Sequence, residues 1–170
     1  MKVLIIGSGG REHAMCVACK KSPNVKEIFC VPGNAGTHAI AKNFDIEIKN
    51  FEKIKKFINE HQIDLVIVGP EQPLVDGIVD YLNENNIKVF GPNKIASQLE
   101  GSKTFTKNLC KKYNIPTAKF GIFENSQAAI KFLDDCSLPI VVKADGLASG
   151  KGVYICSNKD EAKNGIKEIF

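Results

Sequence analysis

The first ninety residues alternate short apolar runs with stretches whose apolar positions recur at helical spacing. Lys2 to Ile6 reads as a buried strand, ended by Gly7-Ser-Gly-Gly10. Arg11 to Lys21 reads as a helix that stops before Pro23. Val25 to Val31 is a second strand, ended by Pro32-Gly33-Asn34-Ala35-Gly36. A weaker third strand is expected near Phe44 to Ile48. Asn50 is placed to cap a helix from Phe51 to His61, with Phe51, Ile54, Phe57 and Ile58 on one face. Ile63 to Val68 is a further buried strand. Pro73 suits the first turn of a helix reaching about Asn83. Lys88 to Phe90 is a short strand closed by Gly91-Pro92.

Strands alternating with helices predict an α/β fold with a doubly wound parallel sheet. Ligands in such sheets sit at the carboxyl ends of the strands. Three loops leave those ends: Gly7–Gly10, Pro32–Thr37 and Gly69–Gly77. A binding site is therefore expected there.

The pattern changes after Pro92. Asn93 to Tyr113 reads as helix broken near Gly101, and Ile115-Pro116 marks a joint. Lys119 to Phe123 and Leu138 to Cys156 supply strands around a helix near Asn125–Asp135. Asn158-Lys-Asp-Glu161 has the form of a capping box that opens a last helix. That helix runs into Phe170 with no stop signal, so the chain is expected to end within a domain.

Composition adds limits. The 170 residues are 44% hydrophobic and 25% charged, ordinary for a globular protein and enough for a core without staples. A net charge of +4, with lysines scattered along helices, leaves no nucleic-acid footprint. Of six cysteines only Cys16 and Cys19 are close, and they lack a second pair at zinc spacing. They read as small semi-buried residues of a reduced protein. His13, His38 and His61 lack metal-ligand spacing. With no secretory signal and no run of membrane-spanning length, the cytoplasm is the expected location and no membrane partner is expected.

Lys143-Ala-Asp-Gly-Leu-Ala-Ser-Gly-Lys-Gly152 carries the clearest chemistry. An apolar strand precedes it and a second strand, Val153 to Cys156, follows it. Such a loop can wrap phosphate oxygens with backbone N–H groups, and Lys143 and Lys151 add charge at its ends. It is not a P-loop, because G-x-x-x-x-G-K-[ST] is absent and strand, not helix, follows. A polar hairpin with surface lysines is the plain alternative. Lys103 falls in the first turn of a helix, where a cation opposes the helix dipole and a bound polyphosphate could offset that cost.

Gly7-Ser-Gly-Gly10 suggests a dinucleotide fingerprint, but Glu12 stands where the third glycine belongs, and Pro32-Gly33 replaces the acid expected after the second strand. What remains is a set of glycines before a helix N-terminus, suited to a single phosphate. Arg11 can assist, or be solvated or paired to Glu12. Pro32–Thr37 adds an amide and a hydroxyl, in what is otherwise an ordinary turn. Glu71 sits at the sheet's ligand edge, able to accept from sugar hydroxyls or an amine; its plain role is to complement a helix dipole. Asp76 is a weaker candidate that also reads as an exposed helix residue.

Taken in order, GSGGREHA at Gly7–Ala14, PGNAGT at Pro32–Thr37, VGPEQPLVDG at Val68–Gly77, LEGSK at Leu99–Lys103, IPTA at Ile115–Ala118 and KADGLASGKGV at Lys143–Val153 resemble the phosphoribosylamine–glycine ligase (glycinamide ribonucleotide synthetase) family of ATP-grasp enzymes. The resemblance spans nearly the whole chain. It implies a Rossmann-like, pre-ATP-grasp domain over 1–92, the helical start of an ATP-grasp core over 93–118, and a small α+β flap subdomain over 119–170. It implies ATP-dependent joining of glycine to 5-phosphoribosylamine through a glycyl phosphate, in purine biosynthesis, by a monomer whose partners are small molecules. Gly9, Gly10, Arg11, Gly33, Asn34, Gly36, Glu71 and Asp76 would hold phosphoribosylamine. Lys103 and Lys143 would act catalytically on the phosphates, and Asp145, Gly146, Ser149, Gly150, Lys151 and Gly152 would complete the ATP loop. Mg2+ or Mn2+ is implied, with its ligands expected beyond Phe170, so this piece is expected to be inactive alone.

Three other functions stay open. One is an ATP-grasp carboxylase or amidoligase with another substrate. Another is a Rossmann oxidoreductase using a nucleotide cofactor. The third is a non-catalytic remnant that senses a phosphosugar.

Overall fold

Five parallel strands carry the first unit of the chain, Met1–Gln98. They are β1 (Lys2–Gly7), β2 (Glu27–Pro32), β3 (Lys42–Asn43), β4 (Leu65–Val68) and β5 (Val89–Phe90), in the order β3-β2-β1-β4-β5. The computed structural model describes residues 1–148 and 151–170. α1 (Gly10–Lys20), α2 (Ala35–His38), α3 (Phe51–His61), α4 (Glu71–Asp76) and α5 (Ile78–Glu84) connect the strands.

The period-two alternation of β1 explains both faces of the sheet. Val3 and Ile5 join Ile28 and Cys30 against Cys16 of α1. Leu4 and Ile6 join Phe29, Val31, Val66 and Val68 against Ile54, Phe57 and Ile58 of α3 and Ile78, Val79 and Leu82 of α5. Each fully buried Leu or Ile contributes about 1.5–3 kcal/mol relative to exposure. Crossovers run from β1 to one side through β2 and β3, and to the other through β4 and β5. The order therefore reverses between β1 and β4, where such sheets open a crevice.

The expected elements form with three differences in this unit. β3 covers only Lys42–Asn43, not Phe44 to Ile48. Phe44, Ile46 and Ile48 do alternate, but they pack on the α3 side of the core and leave the sheet. The helix expected from Pro73 to Asn83 is two helices, broken at Gly77, whose φ of +98° closes α4. Finally, the Pro32–Thr37 loop turns into helix at Ala35 because the Asn34 side chain accepts from Thr37 N at 2.9 Å.

α6 (Lys94–Gly101) leads the chain into the second unit, Leu99–Phe170. α7 (Lys103–Lys112) follows at once, so the helix breaks at Gly101–Ser102 as the sequence predicts. α8 (Ser126–Phe132) and a 3-10 turn at Leu133–Asp135 precede an antiparallel hairpin, β6 (Ile140–Lys143) with β7 (Val153–Cys156). α9 (Lys159–Ile169) begins at Asn158, which caps it through Glu161 N at 2.9 Å. Ala129, Leu133, Cys156, Ala162 and Ile166 form the core of this unit. No strand forms at Lys119 to Phe123 among the described residues. The hairpin is a two-stranded sheet, and Phe123 instead packs at a tilt against Phe132 with ring centroids 5.1 Å apart.

Candidate functional site

The first cluster of candidate residues lies at the carboxyl edge of the five-stranded sheet. β1 ends in Gly7 at φ +127°, and Gly9 caps α1 in extended conformation. Glu12, third in the helix, turns back on this loop. Its Oε2 accepts from Gly9 N at 2.6 Å and its Oε1 from Arg11 Nε at 2.8 Å. The Glu12 side chain is only 3% exposed. Its carboxylate and Cγ lie so near Gly7 and Gly69 that a Cβ at either would overlap it. Glu12 thus fills the crevice between β1 and β4 and takes the Gly9 amide that a pyrophosphate would need.

Arg11 continues the chain of contacts. Its Nη1 donates to Glu71 Oε1 at 2.7 Å, across to the loop that follows β4. The sequence left Arg11 between solvent, ligand and Glu12; the structure pairs it with Glu12 and Glu71 together. The hydrogen bond from Arg11 holds the Glu71 carboxyl below the usual carboxylate range. The same two acids hold the guanidinium, already a strong base, more firmly protonated.

The loop after β2 is stitched to the same place. Asn34 Nδ2 donates to Ser8 O at 2.8 Å, and Gly33 N donates to Gly7 O at 3.1 Å. Asn43 Nδ2 donates to Asn34 O at 2.8 Å, and its side chain fills the space beside Gly33. Gly36 lies in the first turn of α2, beside His13. A cavity of about 430 Å3 results, lined by Gly7, Gly9, Arg11, Glu47, Ile48 and Pro70 among others. Asp76 stands apart from this lining at the end of α4, where it accepts from Gln72 Nε2 at 2.9 Å.

Gly9, Arg11, Gly33, Asn34 and Glu71 are therefore brought together, and Gly10 opens the helix beside them. The arrangement offers a helix N-terminus and a guanidinium to an anion, with a carboxylate acceptor close by. Sequence reasoning missed Glu47 and Ile48, because they read as an ordinary strand. Glu12 registered as a failed fingerprint position, not as the plug of the crevice.

The second cluster lies within Leu99–Phe170. Ser102 caps α7 by accepting from Phe105 N at 3.0 Å. Asp145, two residues after β6, reaches the same helix start. Its Oδ1 accepts from Lys103 N at 2.7 Å and from Thr104 N at 3.2 Å, and its Oδ2 accepts from Ser102 Oγ at 3.0 Å. Partial burial pushes the Asp145 carboxyl up, but hydrogen bonds from Thr104, Gly146 and Ser102 outweigh this and hold it low. Lys103 Nζ donates to Gly146 O at 2.8 Å. An acid some forty residues away thus complements the amide end of α7, while the Lys103 ammonium turns to the neutral Gly146 carbonyl.

Across the hairpin, Lys143 pairs with Val153 and stands on the exposed face, opposite the one that Val142 buries. Ala144 N donates to Gly152 O at 2.8 Å, and Gly152 takes φ +66° where the loop rejoins β7. Lys151 is exposed. Ser149 and Gly150 lie outside the described residues. All six cysteines are free thiols, and burial pushes that of Cys16 up to about 12. Among the described residues, no group of three or more His, Cys, Asp or Glu is placed to hold a metal. Among the described residues, no helix is long and apolar enough to cross a membrane.

Family models match the chain from end to end. Residues 1–100 match the family model for the phosphoribosylglycinamide synthetase N domain, and residues 101–170 that for its ATP-grasp (A) domain. The chain is 49% identical to the phosphoribosylamine–glycine ligase of Clostridium acetobutylicum over its whole length, and covers 41% of that protein. It is 48% identical to that of Mesorhizobium japonicum, covering 40%. The chain thus spans about two-fifths of the length of these relatives. The crystal structure of the Thermotoga maritima phosphoribosylamine–glycine ligase superposes with a TM-score of 0.78 at 38% identity, over 96% of this chain and 38% of that one. The biotin carboxylase domain of Hydrogenobacter thermophilus 2-oxoglutarate carboxylase, solved with MgADP, superposes with a TM-score of 0.76 over 99% of this chain and 40% of that one; at 19% identity it shows the shared fold alone. With both family models in sequence order and these relatives along the full chain, the protein belongs to the phosphoribosylglycinamide synthetase (phosphoribosylamine–glycine ligase) family of ATP-grasp enzymes.

Proposed function

We propose that this chain supplies the phosphosugar site and part of the ATP site of an enzyme joining glycine to 5-phosphoribosylamine. The products are glycinamide ribonucleotide, ADP and phosphate. The observation that carries the proposal is the meeting of three loops at Arg11, Asn34 and Glu71, on a helix N-terminus whose crevice Glu12 already fills. Such a site suits a monophosphate with hydroxyl and amine groups, and suits a dinucleotide poorly.

In this reading the first-turn amides of α1 and Arg11 hold the substrate phosphate. Gly9, Gly10, Gly33 and Gly36 let the backbone approach, Asn34 holds two loops together, and Glu71 accepts from the sugar or its amine. Asp76 belongs to the same set at its margin. Lys103, Lys143 and Lys151 place charge on ATP phosphates, with Gly146 and Gly152 shaping the loop, Asp145 anchoring it, and Ser149 and Gly150 completing it. Phosphoryl transfer to the glycine carboxylate gives a glycyl phosphate, which the ribosylamine nitrogen attacks with release of phosphate. Lysines and loop amides stabilise charge on the moving phosphoryl group, the main source of rate in such transfers. Mg2+ or Mn2+ would neutralise ATP, but no metal-binding set lies among the described residues and no step here depends on one. Residues 1–92, 93–118 and 119–170 act as substrate domain, start of the ATP-grasp core and flap. A cytoplasmic monomer fits this role.

The test is ATP turnover by the full-length protein. ADP formation that requires both glycine and phosphoribosylamine supports the reading. ADP formation driven by another carboxylate substrate, or none with this pair, overturns it.

A further inference from the structure

Asp145 sits in the loop proposed to hold ATP, yet its carboxylate faces a helix start and not open loop. Both oxygens are engaged there, Oδ1 by the amides of Lys103 and Thr104, Oδ2 by Ser102 Oγ. A carboxylate only accepts hydrogen bonds, so beside phosphate oxygens it would repel them. Its neighbour Gly146 holds the other end of the same lysine, through Nζ to O at 2.8 Å. Lys103 is therefore fixed twice, backbone to Asp145 and side chain to Gly146. Gly146 has φ +87° and open space where a Cβ would stand, so its carbonyl direction depends on a backbone that other residues rarely adopt.

We infer that Asp145 is a positioning residue: it anchors the β6–β7 loop on the first turn of α7 so that Lys103 Nζ is presented to that loop, where a nucleotide phosphate takes the place of the Gly146 carbonyl. The inference rests on the proposed ATP role of this loop and adds how its lysine is aimed. A phosphate oxygen is a charged acceptor and the stronger partner for an ammonium than a neutral carbonyl. The exchange leaves Asp145 on α7 and the loop in place.

The experiment is calorimetric titration of the full-length protein with MgATP. Asp145→Asn keeps the shape but loses the charge, and it is expected to weaken MgATP binding by about tenfold. In a Lys103→Met background the same change is expected to have an effect of less than about twofold, since the residue acts through Lys103. Gly146→Ala tests the claim from the loop side without touching the α7 start, and should show the same dependence on Lys103. A lower melting temperature with unchanged affinity would make Asp145 a helix cap only. Equal losses in both backgrounds would make it act independently of Lys103, and tighter binding would make it a competitor of the phosphate. Each of those three results overturns the inference while leaving the ATP reading intact. Absence of MgATP binding by the unaltered protein would remove that reading and the inference together.

Discussion

Arg11 and Glu71, 60 residues apart in sequence, meet through a forked contact, Nη1 to Oε1 at 2.7 Å and Nη2 to Oε2 at 3.5 Å. The pair ties the first turn of α1 to the first turn of α4 across the carboxyl edge of the sheet. Both side chains are nearly half exposed. An exposed ion pair contributes about 0.2–1 kcal/mol, so its value lies in geometry more than in stability. Arg11→Lys keeps the charge and loses the fork. Because Arg11 Nε also serves the buried Glu12 carboxylate, the change should cost about 1–3 kcal/mol in urea unfolding and weaken ribose 5-phosphate binding by about tenfold or more. Equal binding by the two proteins would remove Arg11 from the site.

Glu12 is buried, and both oxygens are used by Gly9 N and Arg11 Nε. Glu12→Ala leaves these donors unmatched and empties the crevice, at a cost of about 1–3 kcal/mol or more. Urea unfolding measures this, and a loss within a few tenths of a kcal/mol would show that the plug is dispensable.

Two glycines of the same edge should separate stability from binding. A Cβ at Gly69 would fall 2.7 Å from Glu12 Cδ, whereas a Cβ at Gly10 meets nothing within 4 Å. Gly69→Ala should destabilise by about 1–3 kcal/mol through overpacking. Gly10→Ala, at the first helical position, should be neutral or stabilising by up to about 1 kcal/mol. The same methyl would stand where a phosphate approaches the helix start, so Gly10→Ala should lose phosphosugar affinity while gaining or keeping stability. Parallel loss of both would place Gly10 in the fold alone.

The Glu71 carboxyl is held low by its hydrogen bond from Arg11. A group depressed in the folded state contributes its stabilisation above its unfolded value, about 4.3 for Glu, and loses it as pH falls through the folded value. Carboxyl-carbon NMR should show Glu71 titrating below the ordinary range, and returning to it in Arg11→Met. A midpoint at or above the ordinary value in the unaltered protein would mean that the pair does not persist in solution.

Much of this was readable because the signals are local. Asn50 and Asn158 cap the helices that their sequence positions predict. The apolar runs at Lys2–Ile6 and Ile63–Val68 become the central strands β1 and β4. Phe44 to Ile48 misled because alternation reports a half-buried extended segment, whether it joins a sheet or lies on one. Lys119 to Phe123 misled for a related reason: a strand also needs a partner, which spacing cannot supply. In the site, glycines and charged residues announced the loops. The pairings Arg11–Glu71 and Lys103–Asp145 did not show, because each joins residues dozens of positions apart and only the fold brings them into reach.

The most direct test of the phosphosugar reading is calorimetric titration of this chain with glycinamide ribonucleotide, with NAD as the control. Saturable binding of the ribonucleotide and silence with NAD is the predicted result, since Glu12 fills the crevice that a dinucleotide would enter. Saturable binding of NAD with no response to the ribonucleotide would contradict it and return the crevice to a nucleotide-cofactor site.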